Sequence, residues 1–179
     1  MSGFWGEWDE DGYITTLYYN QRPNDVDRLA WFGEGINLEH QKFVWTGTTW
    51  HFVEDMDAAK KEYRQKIKTK FSAIEEHGEL GGLYSPTLDA QIYNAAEDID
   101  KVSKIIAGFE AGATTPTFYK TKNKGLVSVS GINVFKAVYL ELYNRYIELW
   151  TQKENFYSKI DACKNLYELK TAYSEMSFS

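Results

Sequence analysis

From Ser130 to the C-terminus the chain has no proline, and no glycine after Gly131, so nothing covalent in its last third obliges a helix to stop. Phe135, Leu142, Leu149, Phe156 and Cys163 recur there at intervals of seven, interleaved with Tyr139, Tyr146, Lys153, Ile160 and Tyr167. That is a heptad seam with one charged interruption, and it predicts a long helix over 131–176. At about 1.5 Å per residue such a rod would reach roughly 65–70 Å, about twice the ~30 Å width of a small domain. A rod of that length either docks on other subunits or folds back near the polar run from Thr151 to Asn155. The docking alternative assigns an interface to Phe135, Tyr139, Leu142, Tyr146, Leu149, Phe156 and Ile160. Charged replacements at Leu142 and Leu149 should then abolish assembly and leave the N-terminal hairpin folded.

The totals narrow the class. A chain of 179 residues is one domain or two small ones, long enough to bury a core. Its apolar runs reach only three or four residues, far short of the roughly twenty that a membrane-spanning helix needs. The N-terminus has no basic region followed by an apolar core, so synthesis in a cytoplasm without a secretory signal is expected. The formal charge of -6 opposes a nucleic-acid partner, which calls for a basic surface. Cys163 is the single cysteine, so no internal disulfide can form, and its place on the stripe makes it a small buried apolar residue.

Aromatic residues make up 16% of the chain, and five of the six tryptophans precede residue 51. This first part reads as β structure. Gly12–Tyr19 is rich in β-branched and aromatic residues, and a weaker strand runs over Arg28–Phe32. Phe43-Val44-Trp45 and Trp50-His51-Phe52-Val53 flank the short loop Thr46-Gly47-Thr48-Thr49, a hairpin signature. Asp9-Glu10-Asp11-Gly12 lacks the closing glutamate of a calcium loop and reads as a tight turn before a strand. Residues 1–54 are thus an aromatic-rich antiparallel β subdomain. Its Trp31, Trp45 and Trp50 are a candidate binding face, for a protein or for the sugar rings of a glycan, or else its core.

Residues 55–179 read as a helical domain. Asp55 or Asp57 caps a helix carrying Tyr63, Ile67, Phe71 and Ile74 on one face and a run of lysines on the other, read as a solvated face. A glycine-rich joint follows at Gly78–Gly82. Ser85-Pro86 then opens a second helix with Leu88, Ile92, Ala95, Ile99, Val102 and Ile106 on its apolar face, ending near Gly108 or Gly112; a hairpin lies near 117–129, and the long helix closes the chain. The fold class is therefore α+β, with three helices and one small hairpin after the N-terminal strands.

His40, His51 and His77 have no partner at metal-ligand spacing, and no phosphate loop, nucleophile elbow or paired-cysteine pattern occurs. No catalytic, cofactor-binding or metal-binding residue is assigned, and an enzyme is not expected.

The order of parts carries a resemblance. The hairpin Trp45-Thr46-Gly47-Thr48-Thr49-Trp50 is followed by the lysine-rich helix, the glycine-rich joint and Leu83-Tyr84-Ser85-Pro86-Thr87-Leu88-Asp89. A polar hairpin around Thr121-Lys122-Asn123 and a closing helix containing Ile160-Asp161-Ala162 complete it. Over residues 42–175 this layout resembles small bacteriophage tail proteins, in particular tail-fibre and fibre-accessory proteins with a helical C-terminal domain of unknown function. The resemblance implies a structural or accessory component of the virion tail, made in the host cytoplasm. Its implied partners are other tail subunits, a trimeric fibre among them, with no nucleic acid, membrane or cofactor. A fibre-assembly chaperone and a host-glycan-binding module are the alternatives.

Overall fold

The computed structural model describes residues 3–19, 22–23, 28–33, 40–45 and 50–178. Strands β1 (Gly3–Trp8), β2 (Ile14–Tyr19), β3 (Leu29–Gly33), β4 (Gln41–Trp45) and β5 (Trp50–Glu54) precede helix α1 (Met56–His77). Strands β6 (Leu83–Ser85) and β7 (Ala90–Ile92) lead to helix α2 (Ala96–Glu110). Strands β8 (Phe118–Lys120) and β9 (Leu126–Ser128) lead to helices α3 (Ile132–Ala162) and α4 (Leu166–Ser174). This is the α+β class expected. The chain forms two compact units, Met1–Tyr63 with Ile160–Glu175, and Arg64–Lys159 with Met176–Ser179.

In the first unit β1 is the centre of an antiparallel sheet of order β2-β1-β3, and β4 pairs with β5. The hairpin register sets Trp45 opposite Trp50, while the loop expected at Thr46–Thr49 lies outside the described residues. Alternation sends Phe4, Trp8 and Phe32 to one face of the sheet. There Trp8 stacks on Phe43 at 4.1 Å between ring centroids, with Phe32 5.9 Å from Phe43. Gly6 leaves room for this packing, since a Cβ there would meet Phe32 at 2.7 Å.

The turn before β2 forms as expected. The Tyr13 amide donates to Asp9 Oδ1 at 2.9 Å, and the Phe43 amide to the Gly12 carbonyl at 2.7 Å. Gly12 has φ +89°, and a Cβ there would lie 1.9 Å from the Phe43 carbonyl oxygen, so glycine is required on both counts.

The helix expected over 131–176 is two helices, not one. Asn165, in extended conformation, caps α4 by accepting from the Glu168 amide at 2.9 Å, while Glu168 accepts from the Lys164 amide at 2.7 Å. An Asn-x-x-Glu capping pair thus ends the rod without glycine or proline. The break falls at Cys163–Asn165 and not near Lys153, which lies within α3. Beyond it, α4 buries Leu166 and Leu169, and the Leu166 amide donates to Glu54 Oε2 at 3.0 Å. These contacts join the closing segment to the first unit, where the sequence had grouped it with the helices of 55–179.

In the second unit Leu88, Ala90, Ile92, Val102, Val129, Phe135, Val138 and Leu142 form one buried cluster. The helix expected from Ser85-Pro86 is instead the turn of the β6–β7 hairpin. Ser85 Oγ accepts from the Leu88 amide at 3.2 Å and Asp89 takes φ +47°, which closes the turn before a helix can start. Leu88 and Ile92 reach the core from this hairpin, and α2 begins only at Ala96, where Asp98 accepts from the Ala95 amide at 3.0 Å. The hairpin expected near 117–129 is present, with Gly125 at φ +72°.

Leu142→Ala should lower stability by about 2–5 kcal/mol, since it empties a fully packed site. Asn165→Ala should cost about 1 kcal/mol through the lost cap. Urea denaturation followed by circular dichroism measures both.

Candidate functional site

The long-helix seam lies inward. Phe135, Leu142, Leu149 and Ile160 are buried within the chain, and Tyr139, Tyr146 and Phe156 are half-buried. Phe135 and Leu142 pack in the second unit's core, and Leu149 lies beside Phe71 and Ile74 of α1. Of the residues expected at an intersubunit surface, Phe135, Leu142, Leu149 and Ile160 are thus covered within the chain, while Tyr139, Tyr146 and Phe156 keep part of their surface open. The chain supplies the partner surfaces itself, through α1, α2 and the small hairpins. A charge at Leu142 would disrupt the core of the unit rather than act selectively on assembly.

A second apolar stripe of α3 stays open to solvent. Leu140 (57% exposed), Tyr143 (42%), Ile147 (41%) and Trp150 (44%) stand at spacings of three, four and three, which places them on one face. The stripe covers about three turns and is flanked along the same helix by Lys136 before it and Glu154 after it. Tyr143 stacks on Tyr139 at 5.9 Å, which stiffens its ring. Beside Leu140 a recess of about 410 Å³ opens between α2 and α3, lined by Ser103, Ile106, Lys136 and Tyr139. An apolar centre with polar ends is the anatomy of a protein interface.

Periodicity could have found this stripe, because 140/143/147/150 is as good a heptad pattern as the seam of sevens. A helix apolar on both faces does not announce which one turns inward.

The candidate tryptophan face divides. In the β1 sheet, register sets Trp5 between Tyr18 and Trp31 in one row, on the face opposite Trp8 and Phe32. Trp5 and Trp31 meet edge-to-face at 5.4 Å, and the Arg22 guanidinium sits 5.1 Å from the Trp5 ring. Trp31 is 43% exposed. Trp45 and Trp50 belong to the separate β4–β5 ladder, and their side chains lie outside the described residues. Trp31 therefore joins Trp5 and Tyr18, a grouping set by strand pairing and invisible to sequence spacing.

A buried polar cluster lies elsewhere in the first unit. Asp55 accepts from the Tyr13 hydroxyl and from the Ala58 amide at 3.2 Å, and Lys42 Nζ lies 3.2 Å from its Oδ2. Burial works to raise the Asp55 carboxyl, yet the Tyr13, Ala58 and Lys42 contacts outweigh it and hold it below its ordinary value of 3.8. The hydrogen bond to Asp55 pushes both Tyr13 and Lys42 upward. Both carboxylate oxygens are engaged, so the cluster caps α1 and ties it to β4 and to the turn before β2.

Burial pushes the Cys163 thiol up as well, with Glu168 adding and Lys60 opposing, which leaves little nucleophilic thiolate. His40 Nε2 lies 2.9 Å from Glu62 Oε2. Among the described residues no group of three His, Cys, Asp or Glu side chains is placed to hold a metal ion. No helix there is long and apolar enough to cross a membrane.

Comparison with known proteins finds no matching family model, no matching curated protein and no matching solved structure.

Asp55→Ala removes a cap and leaves Lys42 without its carboxylate, and should cost about 2–4 kcal/mol. The pH dependence has a definite sign. The Asp55 contribution is complete above its ordinary value of 3.8 and is lost as pH falls through the lowered one. Those of Tyr13 and Lys42 are complete below their ordinary values of 10.0 and 10.5 and are lost as pH rises through the raised ones. Thermal melts of wild type and Asp55→Ala should therefore differ most at neutral pH and converge towards pH 2.

Proposed function

We propose that this chain is a structural or accessory protein of a bacteriophage tail, serving fibre or baseplate attachment through protein–protein assembly. The observation that carries the assembly role is the solvent-exposed row Leu140, Tyr143, Ile147 and Trp150 on α3. Burying four such side chains, each about half exposed, would contribute several kcal/mol at roughly 25 cal/mol per Å². Tyr and Trp also lose little rotamer freedom on docking. The tail setting is supported by the order of parts over residues 42–175, which resembles tail-fibre and fibre-accessory proteins. On this reading the chain is made in the host cytoplasm, acts without catalysis or cofactor, and meets other tail subunits, a trimeric fibre among them.

The Trp5–Trp31 row favours a second reading, a host-glycan-binding module. Two adjacent indoles on one sheet face offer apolar area for sugar rings, and Arg22 offers a donor beside them.

Quantitative mass spectrometry of purified mature particles of the phage that encodes the chain tests the first reading. The expected result is a copy number at a fixed multiple of three or six relative to the tail tube. Absence from the particle, despite expression during infection, overturns the structural role and leaves a fibre-assembly chaperone. For the second reading, tryptophan fluorescence titrated with host surface polysaccharide should shift in wild type and lose the shift in Trp31→Ala. No shift in wild type removes the glycan reading.

A further inference from the structure

We infer that the exposed face of α3 pairs with the same face of a second copy of this chain, antiparallel, about a two-fold axis midway between Tyr143 and Ile147. The inference rests on the reading of that face as an assembly surface and names its partner. What carries it is the symmetry of the pattern. Counted outward from position 145, Tyr143 and Ile147 stand two residues away, Leu140 and Trp150 five, and Lys136 and Glu154 nine. An isologous interface requires that if one residue meets another across the axis, the reverse contact forms too. Antiparallel pairing here sets Tyr143 against Ile147, Leu140 against Trp150 and Lys136 against Glu154, each of them twice.

Size and charge agree with that arrangement. Leu140 and Trp150 are about 15 Å apart along the helix, so the indole of one copy arrives at the Leu140 end of the other. The recess of about 410 Å³ beside Leu140 is large enough to receive it. A tryptophan seated in a pocket is the commonest kind of energetic anchor at an interface. At both ends a lysine meets a glutamate, whereas parallel pairing would set Lys136 against Lys136 and Glu154 against Glu154. Lys136 already lies 3.3 Å from Glu110 Oε1 while about half exposed, so its ammonium can serve both carboxylates. The four stripe residues leave roughly 400 Å² of surface on each copy, about half of the ~800 Å² per partner in a standard interface. The recess lining and the polar ends add to this, which places the pairing among weak, reversible dimers.

Sedimentation equilibrium on the full-length chain over a concentration series tests the inference. Wild type should approach twice the 20.7 kDa chain mass at high micromolar concentration. Ile147→Lys should raise the dimer dissociation constant at least tenfold with an unchanged circular dichroism spectrum. Lys136→Glu and Glu154→Lys should each weaken pairing several-fold, and the double variant should recover it, because each copy's altered residue then meets its altered partner. A monomer at every concentration overturns the inference, as does a dimer that ignores Ile147→Lys or is not restored by the double exchange. These outcomes are separable from the tail reading. A monomeric chain present in particles leaves the tail role intact and gives the α3 face to another subunit. Self-pairing of a chain absent from particles supports the dimer while the tail role fails.

Discussion

The second unit depends on burial of one face of α3. Phe135, Val138 and Leu142 are sealed against Ile92 of the β6–β7 hairpin and Val102 of α2. Fully burying side chains of this size is worth about 1.5–3 kcal/mol each, so these residues supply a large share of a stability that for any small domain is only about 5–15 kcal/mol. The two short two-stranded hairpins, β6–β7 and β8–β9, would not persist alone in water, since a lone hairpin is marginal. They hold because Leu88, Ile92 and Val129 are drawn into the same cluster. Tyr119, packed 6.0 Å from Phe135, has its hydroxyl pushed up to about 12, by burial first and then by Asp98 and Glu141.

The first unit solves a different problem. Short strands expose backbone at their edges and offer little side-chain volume, so the core is built from stacked rings, Trp8 on Phe43 with Phe32 beside them. Large rings permit a core in few residues, but they demand close backbone approach, and Gly6 and Gly12 provide it. Asp55 then joins the sheet region to the start of α1 through Tyr13, Lys42 and the Ala58 amide. A carboxylate with both oxygens engaged costs much less to bury than a free one, which explains a buried charge in a small aromatic domain.

The proposed function draws on what these two solutions leave over. Once the inward face of α3 is covered by the chain's own elements, the outward row of Leu140, Tyr143, Ile147 and Trp150 is the apolar surface that remains on the helix. On the sheet, the core takes one face and leaves Trp5 and Trp31 on the other. Both features are places where burial is incomplete in the isolated chain. They point to recognition by contact, in keeping with the assembly role proposed.

Much of the architecture was legible in sequence, and for local reasons. The change from period two to period 3.6 near residue 55, the Asp9–Gly12 turn, the Asp55 cap and the hairpin closed by Gly125 each depend on residues a few positions apart. The Asn165–Glu168 cap is equally local, but it ends a helix with neither glycine nor proline and so leaves no helix breaker in the sequence. Ser85-Pro86 misled because a capping serine and a turn serine carry the same signature, and only the pairing of Leu83 with Ile92 chooses the turn. The aromatic row of Trp5, Tyr18 and Trp31 came from strand register, which joins residues far apart in the chain. Sequence alone determined that α3 would be amphipathic at heptad spacing and rich in rings. Which of its two apolar faces became core and which stayed exposed was decided only in three dimensions, because both carry large apolar side chains at helical spacing and only the packed neighbours distinguish them.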